Sequence, residues 1–320
     1  MGQSLFALLI LSMAIMSFGE LKVKYQWKYL DYDFDSTEQK ENAINSGIYN
    51  RSKCMLYDAD KADDGRIFLT TPKHIGSFSP ATLVTITNKT GPGGPLLRPY
   101  PNWNSHNNTR CNDSMANVIY IQIRCNHLFA MDNGKSDKEQ LCNPKLLIFD
   151  LKDDKLVKII PIPSNVATNQ TGFGTMAIPF IYIPDGECTR FWDKMIIFIS
   201  DMEGSGLVVY NLSTNRMCRV ESDYMKPTDT FFTVGGFNFT HVASTFALTI
   251  LCDELYYAPM SGNEIYKIKI ETLLKCPDKK KANEESKLAI KLSSHTLPIT
   301  TVGQEIIYTS LREMSMHKCL

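Results

Sequence analysis

A strand-turn-strand sequence pattern recurs along this chain and limits the folds that the chain can adopt. Each copy is an apolar run that ends in Asp or Asn, followed by a polar turn and a second short run. One copy covers Lys145–Leu151 and Leu156–Ile160, and another covers Leu207–Asn211 and Met217–Val220. The copies lie about 60 residues apart, a spacing that fits one four-stranded blade of a β-propeller. Because such a sheet cannot bury both faces alone, the repeat predicts several sheets packed on one another.

Short β-rich runs separated by Gly, Pro, Asn and Asp clusters fill most of the chain after residue 65. Together they predict an all-β fold of the β-propeller type, and a β-sandwich is the alternative that the pattern leaves open. The other predicted strands are Arg66–Thr70, Thr82–Thr87, Asn117–Ile123, Leu128–Met131, Met176–Ile183, Met195–Ser200, Ser244–Leu251, Glu254–Ala258, Glu264–Ile270 and Glu305–Thr309.

Signals for helices are sparse. Ser36 opens a capping box that predicts one short helix running through Ile44 and ending at Gly47. The charged stretch from Pro277 to Lys287 predicts a mobile loop between blades. The lysine run inside it is followed, after two intervening residues, by a pair of glutamates, which favours a solvated surface over a polyanion site.

The first residues predict export. Leu5–Phe18 is an uncharged apolar run, and small residues at Ser17 and Gly19 mark a cleavage position. Residues 1–19 are therefore predicted to be a signal peptide and residues 20–320 a single secreted, extracellular domain. No later run reaches the roughly 18 apolar residues that a membrane span needs, so no membrane partner is expected. An uncleaved anchor or a buried first helix remains the alternative.

The charges and cysteines narrow the possible partners. Lys plus Arg equals Asp plus Glu, at 34 each, which gives no electrostatic reason to expect nucleic acid as a partner. Nine cysteines in an exported chain predict disulfides, with at least one cysteine left unpaired. Their spacings are too wide for a zinc ribbon or a thioredoxin-type motif.

Seven Asn-x-Ser/Thr acceptors stand in polar, turn-like surroundings, where a bulky glycan can lie on the outside. We expect several of them to be used. The acceptors are Asn50, Asn88, Asn107, Asn112, Asn169, Asn211 and Asn238.

Residues for catalysis or metal binding are not arranged in recognisable motifs. The six histidines never show the i, i+4 spacing of a helical metal site. The segment Asp31–Asp35 imitates the start of a calcium loop, but Ser36 and Asn42 stand where glycine and a bidentate glutamate are needed. The sequence therefore predicts no metal site and no cofactor.

Two glycine-rich segments and two aspartates also favour structural roles. Gly204-Ser205-Gly206 is one residue short of a nucleophile elbow and predicts a turn, and Gly91–Pro95 lacks the Lys-Ser/Thr of a phosphate loop. Asp132 and Asp150 could act as acid or base in a cleft, but an aspartate at a strand end is most often a turn residue. No catalytic residue is predicted.

Several separated segments resemble signatures of the yellow/major royal jelly protein family, in matching order and spacing over residues 25–275. The tyrosine-rich opening and the Gly-Gly-Pro-Leu-Leu segment are more similar to the royal jelly branch of this insect family. The segments are Tyr25–Phe34, Ala43–Tyr49, Gly93–Trp103, Cys142–Leu151, Gly204–Tyr210 and Leu255–Pro259.

The resemblance implies a secreted six-bladed β-propeller. Family members serve as nutritive glandular proteins, as pigmentation factors of the cuticle, or as binders of small amines in saliva. The family pattern also implies two disulfides, Cys111 with Cys142 and Cys125 with Cys188. It supplies no catalytic residue to carry over.

Two features depart from the family. Asn126–Asp132 keeps the Leu, an aromatic residue and the Asp of the family segment but lacks its Trp and Arg. The chain stops at Leu320, where relatives continue, so we expect about five blades with the last one missing or partial. An open sheet edge would invite self-association, and Cys319 is the candidate for a free thiol or an intermolecular bridge.

The expected function is that of a secreted, non-enzymatic glandular or nutritive protein of the royal jelly type. The first alternative is a ligand-binding propeller with a small aromatic amine in its central channel. The second is a yellow-type pigmentation factor with dopachrome-conversion activity, which has only the family analogy behind it.

Overall fold

The computed structural model describes residues 22–73, 78–106, 111, 114–136, 139–234, 237–240, 242–302, 305–310 and 314–318. The predicted signal peptide, residues 1–19, lies outside these residues. Within them, strands follow one another from residue 59 onwards as antiparallel sheets, and helices are short.

Five sheets succeed one another along the described chain, four with four strands and one with three. Sheet 1 contains β1 (Ala59–Lys61), β2 (Ile67–Thr70), β3 (Leu83–Gly91) and β4 (Gly94–Pro99). Sheet 2 contains β5 (Val118–Arg124), β6 (His127–Asp132), β9 (Lys145–Asp150) and β10 (Lys155–Pro161), with the two-stranded excursion β7 (Lys135–Ser136) and β8 (Glu139–Gln140) inserted after β6.

The later sheets repeat this meander. Sheet 3 contains β11 (Met176–Tyr182), β12 (Ile196–Asp201), β13 (Gly206–Asn211) and β14 (Arg216–Glu221). A separate hairpin follows, formed by β15 (Phe231–Val234) and β16 (Phe237–Thr240). Sheet 4 contains β17 (Thr245–Leu251), β18 (Glu254–Pro259), β19 (Glu264–Lys269) and β20 (Lys287–Lys291), and sheet 5 contains β21 (Thr296–Val302), β22 (Glu305–Ser310) and β23 (Met314–Lys318).

The prediction of an all-β fold is confirmed, and most predicted strands coincide with observed ones. The α-helices are α1 (Thr37–Asn45), α2 (Ser164–Ala167), α3 (Phe191–Lys194), α4 (Ile270–Leu274) and α5 (Lys279–Glu285). Short 3₁₀ turns cover Trp103–His106, Cys188–Arg190 and Asp223–Met225. Strands β1, β4, β7, β8, β15, β16, β20, β21 and β23 were not predicted, because their sequences are short, polar or interrupted by Gly and Pro.

The side chains of the central strands point alternately to the two faces of their sheet, and both faces are buried, which explains the unbroken apolar sequences of these strands. In β12, Ile197 and Ile199 pack towards sheet 2, while Phe198 packs towards sheet 4. In β9, Ile148 packs towards sheet 3 and Phe149 towards sheet 1. Successive side chains of a strand point to opposite faces, so a sheet with a neighbour on each side needs apolar residues at every position. The sheets are therefore stacked face to face in chain order.

The N-terminal segment covers the remaining face of sheet 1. Leu30, Tyr32 and Tyr49 are buried against Val84 and Leu97 of that sheet. The predicted helix is confirmed as α1, where the Ser36 hydroxyl accepts a hydrogen bond from the Gln39 N–H at 3.1 Å. The chain leaves this helix through Gly47 at φ +73°, a conformation that glycine adopts without strain.

The predicted mobile loop at 277–287 is wrong, because most of it forms α5. The Asp278 carboxylate caps this helix by accepting the Lys281 N–H at 2.8 Å. Ala282 is fully buried, and the Asn283 side chain accepts hydrogen bonds from the Ser222 hydroxyl at 2.8 Å and from a neighbouring backbone N–H. One small apolar residue and one amide therefore anchor a helix that is otherwise charged.

Candidate functional site

The first strands of sheets 1 and 2 lie side by side and are joined by carboxylates. Asp58, just before β1, accepts a hydrogen bond from the Ile121 N–H of β5 at 2.9 Å. Asp60 accepts one from the Ile123 N–H at 2.6 Å. Residues two apart on a strand point to the same side, so both carboxylates reach the same neighbour. They satisfy backbone groups of β5 that no strand of their own sheet pairs.

Similar side-chain bridges join the first strands of the later sheets. The Gln122 side-chain oxygen accepts the Ile181 N–H of β11 at 2.5 Å. The hydroxyl groups of Thr249 in β17 and Thr301 in β21 are hydrogen-bonded to each other. The first strands thus form an inner layer, with the outer strands of each sheet further away. We refer to the space between these first strands as the channel.

Three aromatic rings from three different sheets meet in the channel. Tyr57, next to β1, lies with its ring centroid 5.3 Å from that of Tyr120 in β5. The Tyr120 ring lies 5.8 Å from the ring of Phe246 in β17. Both pairs have edge-to-face geometry, which favours aromatic association. Burial raises the pKa of Tyr120, and its interaction with Tyr57 adds to this, so its hydroxyl stays neutral.

A cavity of about 160 Å³ opens at the end of the channel where the first strands begin and the second strands end. It is mostly apolar, and three of its residues are methionines that follow or precede strands of different sheets. The apolar lining is formed by Met55, Pro72, Ile119, Met202, Ala243 and Met260, with Val242 at the mouth and Tyr57 on the channel side.

One corner of the cavity is polar and already occupied by charge partners. Glu203 pairs with the Lys135 ammonium at 2.7 Å. The Thr175 hydroxyl donates to the same carboxylate oxygen at 2.5 Å and also accepts a hydrogen bond from the Lys135 ammonium. Glu203 is the only charged residue among those that line the cavity in the described chain.

The carboxyl of Asp58 makes the free energy of unfolding of the protein depend on pH. Burial raises the pKa of Asp58 to about 6, against the opposing hydrogen bond from Ile121. Its proton is therefore held more tightly in the folded state than in the unfolded state. Its contribution to stability is complete below about pH 4 and is lost as the pH rises through about 6.

Replacing Asp58 by Asn should remove this dependence, because the amide oxygen can still accept the Ile121 N–H but carries no charge. We expect Asp58→Asn to gain stability relative to wild type by up to about 3 kcal/mol between pH 4 and pH 7. Urea unfolding at both pH values measures the difference. Asp153→Asn, at an exposed carboxylate, is the control. An Asp58→Asn difference that stays constant with pH would contradict the prediction.

The cysteines implied by the family resemblance are brought together in the structure. Cys111 is joined to Cys142, and Cys125 to Cys188. The sequence did not predict the third bridge, Cys218–Cys276, and wide spacing gave no signal for it. Cys252 is also disulfide-bonded. Cys319, the candidate for a free thiol or an intermolecular bridge, lies outside the described residues.

Cys54 is the one free thiol among the described cysteines. Its sulfur donates a hydrogen bond to the Phe78 carbonyl at 2.9 Å. Burial raises the pKa of the thiol to about 11. Because the thiolate is the nucleophilic form, Cys54 is poorly suited to react at neutral pH.

The predicted glycan acceptors differ in exposure. Asn50, Asn88 and Asn238 are exposed, whereas Asn169 and Asn211 are partly buried. The Asn169 side-chain nitrogen faces the Gly204 carbonyl at 3.4 Å, which makes this acceptor the least accessible of the five. Asn107 and Asn112 lie outside the described residues.

The aspartates at the strand ends accept hydrogen bonds from backbone N–H groups, as expected of turn residues. Asp132 is fully buried and accepts three backbone N–H groups, including those of Ala116 at 3.0 Å and Asn117 at 2.8 Å. Asp150 accepts the Lys152 N–H at 2.9 Å. Gly204 and Ser205 lie in the turn between β12 and β13, and Gly206 begins β13, so the prediction of a turn agrees with the structure.

The aspartates of the segment 31–35 are each paired with a cation. The ion pairs are Asp31–Lys40 at 2.7 Å, Asp33–Lys89 at 2.9 Å and Asp35–Arg98 at 2.6 Å. Across the described residues, no three His, Cys, Asp or Glu side chains lie together as metal ligands would. His106 is buried and neutral: its Nδ1 accepts the Thr82 N–H, and desolvation lowers its pKa to about 3.

Comparison with known proteins identifies the family. A family model described as "Major royal jelly protein" matches residues 117–313, which is more than half of the chain. The chain belongs to the major royal jelly protein family. It is 36% identical over 267 residues to major royal jelly protein 8 of Apis mellifera, a match that covers 80% of this chain and 62% of the relative.

Other royal jelly relatives are similar to the same extent. Major royal jelly protein 3 of Apis mellifera is 35% identical over 258 residues, covering 78% of this chain and 46% of the relative. Major royal jelly protein 1 of the same bee is 34% identical over 257 residues, covering 78% and 58%. The chain therefore spans about half to three-fifths of the length of these relatives.

Similarity to solved structures is more distant. A streptogramin B lyase is 12% identical with a TM-score of 0.43, covering 82% of this chain and 64% of that one. Virginiamycin B lyase from Staphylococcus aureus is 11% identical with a TM-score of 0.41, covering 92% and 89%. In the part of this royal jelly family member that the structure describes, no helix has the length and apolar character needed to cross a membrane.

Proposed function

We propose that this royal jelly family member is a secreted glandular protein with a nutritive role and no catalytic activity. The observation that carries the proposal is the similarity, at 34–36% identity over most of the chain, to proteins named for royal jelly. The chemistry of the described residues supports it. The buried carboxylates accept hydrogen bonds from backbone groups or pair with cationic side chains, and the raised pKa of the Cys54 thiol keeps it in its less nucleophilic form.

Tissue abundance tests this role. Quantitative proteomics and transcript counts should place the protein in secretory glands, at levels far above those in the epidermis. Confinement of the protein to pigmenting epidermis would contradict the nutritive role. An acceleration of dopachrome conversion by the purified protein over buffer would contradict its lack of catalysis.

Secretion predicts N-glycans on the accessible acceptors. We expect the exposed residues Asn50, Asn88 and Asn238 to carry glycans at high occupancy, and Asn169 at the lowest occupancy of the described acceptors, because its side chain packs on the Gly204 turn. Glycopeptide mass spectrometry of the protein exported from insect cells measures each occupancy. Protein retained in the cells without glycans would argue against export, and a fully occupied Asn169 against the ranking.

We also infer that the stacked sheets are blades of a six-bladed β-propeller, five of which are formed by sheets 1–5. The face-to-face packing of successive sheets and the inner layer of first strands support this arrangement. A crystal structure would test the number of blades and the way the ring closes.

A second candidate function is the binding of a small aromatic molecule in the cavity at the channel mouth. The cavity itself favours this function, because it combines an apolar lining from four sheets with a single polar corner, as small-molecule sites commonly do. Calorimetry against phenols, indoles and aromatic amines tests it. The absence of heat at millimolar concentrations of every compound would exclude it.

A further inference from the structure

We propose that the cavity at the channel mouth selects a neutral aromatic molecule of one ring and discriminates against the same ring carrying an ammonium group. This inference rests on the proposed ligand-binding function and specifies its chemistry. It differs from the amine expected from the family resemblance. Size, lining and charge each support it.

The size of the cavity fits a single ring. Its volume is about 160 Å³. An apolar protein cavity of about 150 Å³ is large enough to bind benzene. A fused system with a long side chain would have to extend past Val242 into solvent, where it would gain little from burial.

The lining favours an aromatic ring over a polar group. Met55, Met202 and Met260 place three flexible, polarisable side chains around the cavity. Thioethers make favourable contacts with aromatic rings, worth about 0.3–1.5 kcal/mol each. Met55 and Val242 are 40% and 66% exposed, which leaves apolar surface at the mouth that an apolar ligand would cover.

The charge arrangement disfavours a cation. The Glu203 carboxylate, the one acid in the lining, is neutralised by Lys135 and also bonded by Thr175. The Lys135 side chain is only 13% exposed, so its charge is poorly screened by water. A ligand ammonium that approached Glu203 would have to displace Lys135 or meet its repulsion.

The carboxylate of Asp58, which lies near the channel, already accepts a hydrogen bond from the backbone. Asp58 follows Tyr57 in the chain but does not line the cavity. One of its oxygens accepts the Ile121 N–H. A ligand in the cavity therefore encounters the Tyr57 ring but gains no counter-ion from its neighbour.

A matched pair of ligands tests the inference on the full secreted chain. p-Cresol and tyramine share a phenol ring and differ mainly by the ammonium group. Isothermal calorimetry at pH 7 should show p-cresol binding at least 10-fold more tightly than tyramine. Ala243→Leu and, as a second filling variant, Met202→Phe should each weaken p-cresol binding at least 10-fold, and thermal unfolding of each variant checks that it is folded.

Lys135→Gln provides a gain-of-binding test. Release of Glu203 should tighten tyramine binding at least 5-fold and change p-cresol binding less than 2-fold. The double variant Lys135→Gln/Glu203→Gln should lose that gain. Lys155→Gln, at an exposed lysine paired with Asp153, is the matched control and should change neither ligand.

The outcomes separate the two proposals. If tyramine binds wild type as tightly as p-cresol, or more tightly, the inferred ligand class is overturned while the binding function stands. If neither compound binds at millimolar concentration, the binding function fails and the inference with it. Binding of p-cresol that is insensitive to both filling variants would overturn the assignment to this cavity.

Discussion

Asp201→Ala is expected to lower the free energy of unfolding by about 3–5 kcal/mol, because it breaks a buried ion pair and also leaves buried N–H groups without their acceptor. Asp201 is fully buried at the end of β12, and its carboxylate lies 2.8 Å from the Arg219 guanidinium, whose side chain is 8% exposed. Its other oxygen accepts the N–H groups of Thr175, Glu203 and Gly204 at 2.7–3.1 Å. Alanine would leave the three N–H groups without their acceptor, and Arg219 would keep, among the described residues, only Glu221 as a carboxylate partner, at 2.6 Å.

The same change should disturb the cavity. Thr175 and Glu203 form the polar corner and receive their backbone positions from Asp201. Asp201→Asn retains an acceptor of similar shape but not the charge, and we expect it to lose less stability than Asp201→Ala. Urea unfolding of the oxidised, secreted proteins measures both. Asp153→Ala, at an exposed ion pair, is the control and should be close to wild type.

A loss for Asp201→Ala no larger than that of the Asp153→Ala control would contradict this account of the turn. It would mean that water replaces the carboxylate. The glycines beside it argue against that outcome. A Cβ added at Gly204 would lie 2.1 Å from the Asp201 carboxylate, and one at Gly206 would lie 2.5 Å from Arg219. The turn has no free space around the ion pair.

The sequence predicted the sheets well because the physical signal is local and repeated. Every position of β12 is buried between two neighbouring sheets, so its run of apolar residues is long enough to recognise. Strand β20 has two exposed lysines and an exposed leucine, and nothing in its own sequence separates it from a loop. The helix α5 was missed because its stability depends on one buried alanine and on contacts of Asn283 with a different sheet.

The candidate site could not be predicted from local sequence patterns. Its lining comes from residues as far apart as Met55 and Met260, each just outside a strand, where the sequence pattern is least regular. The sequence interpretation of Asp132 as a turn residue was right. It did not show that Asp201 uses the same kind of backbone contact to place Thr175 at the polar corner. That relation depends on the packing of sheet 3, which sequence spacing does not reveal.

The disulfide between Cys125 and Cys188 is expected to contribute nearly as much stability as the buried ion pair. It connects the turn between β5 and β6 in sheet 2 to the 3₁₀ turn between β11 and β12 in sheet 3, across a sequence separation of 63 residues. A loop of that length predicts a loss of about 4 kcal/mol when the bridge is removed, because the unfolded chain gains conformational freedom.

The double variant Cys125→Ala/Cys188→Ala measures this loss in urea under non-reducing conditions. Cys111→Ala/Cys142→Ala opens a shorter loop, with a separation of 31 residues, and should lose about 0.6 kcal/mol less. Cys54→Ala, which removes a thiol outside any bridge, is the control for the substitution itself. A loss below about 1 kcal/mol for the longer loop would indicate that residual structure already restricts the unfolded chain, so that the bridge removes little further freedom. A much larger loss would mean that the bridge also holds those two sheets in contact, beyond its effect on the unfolded state.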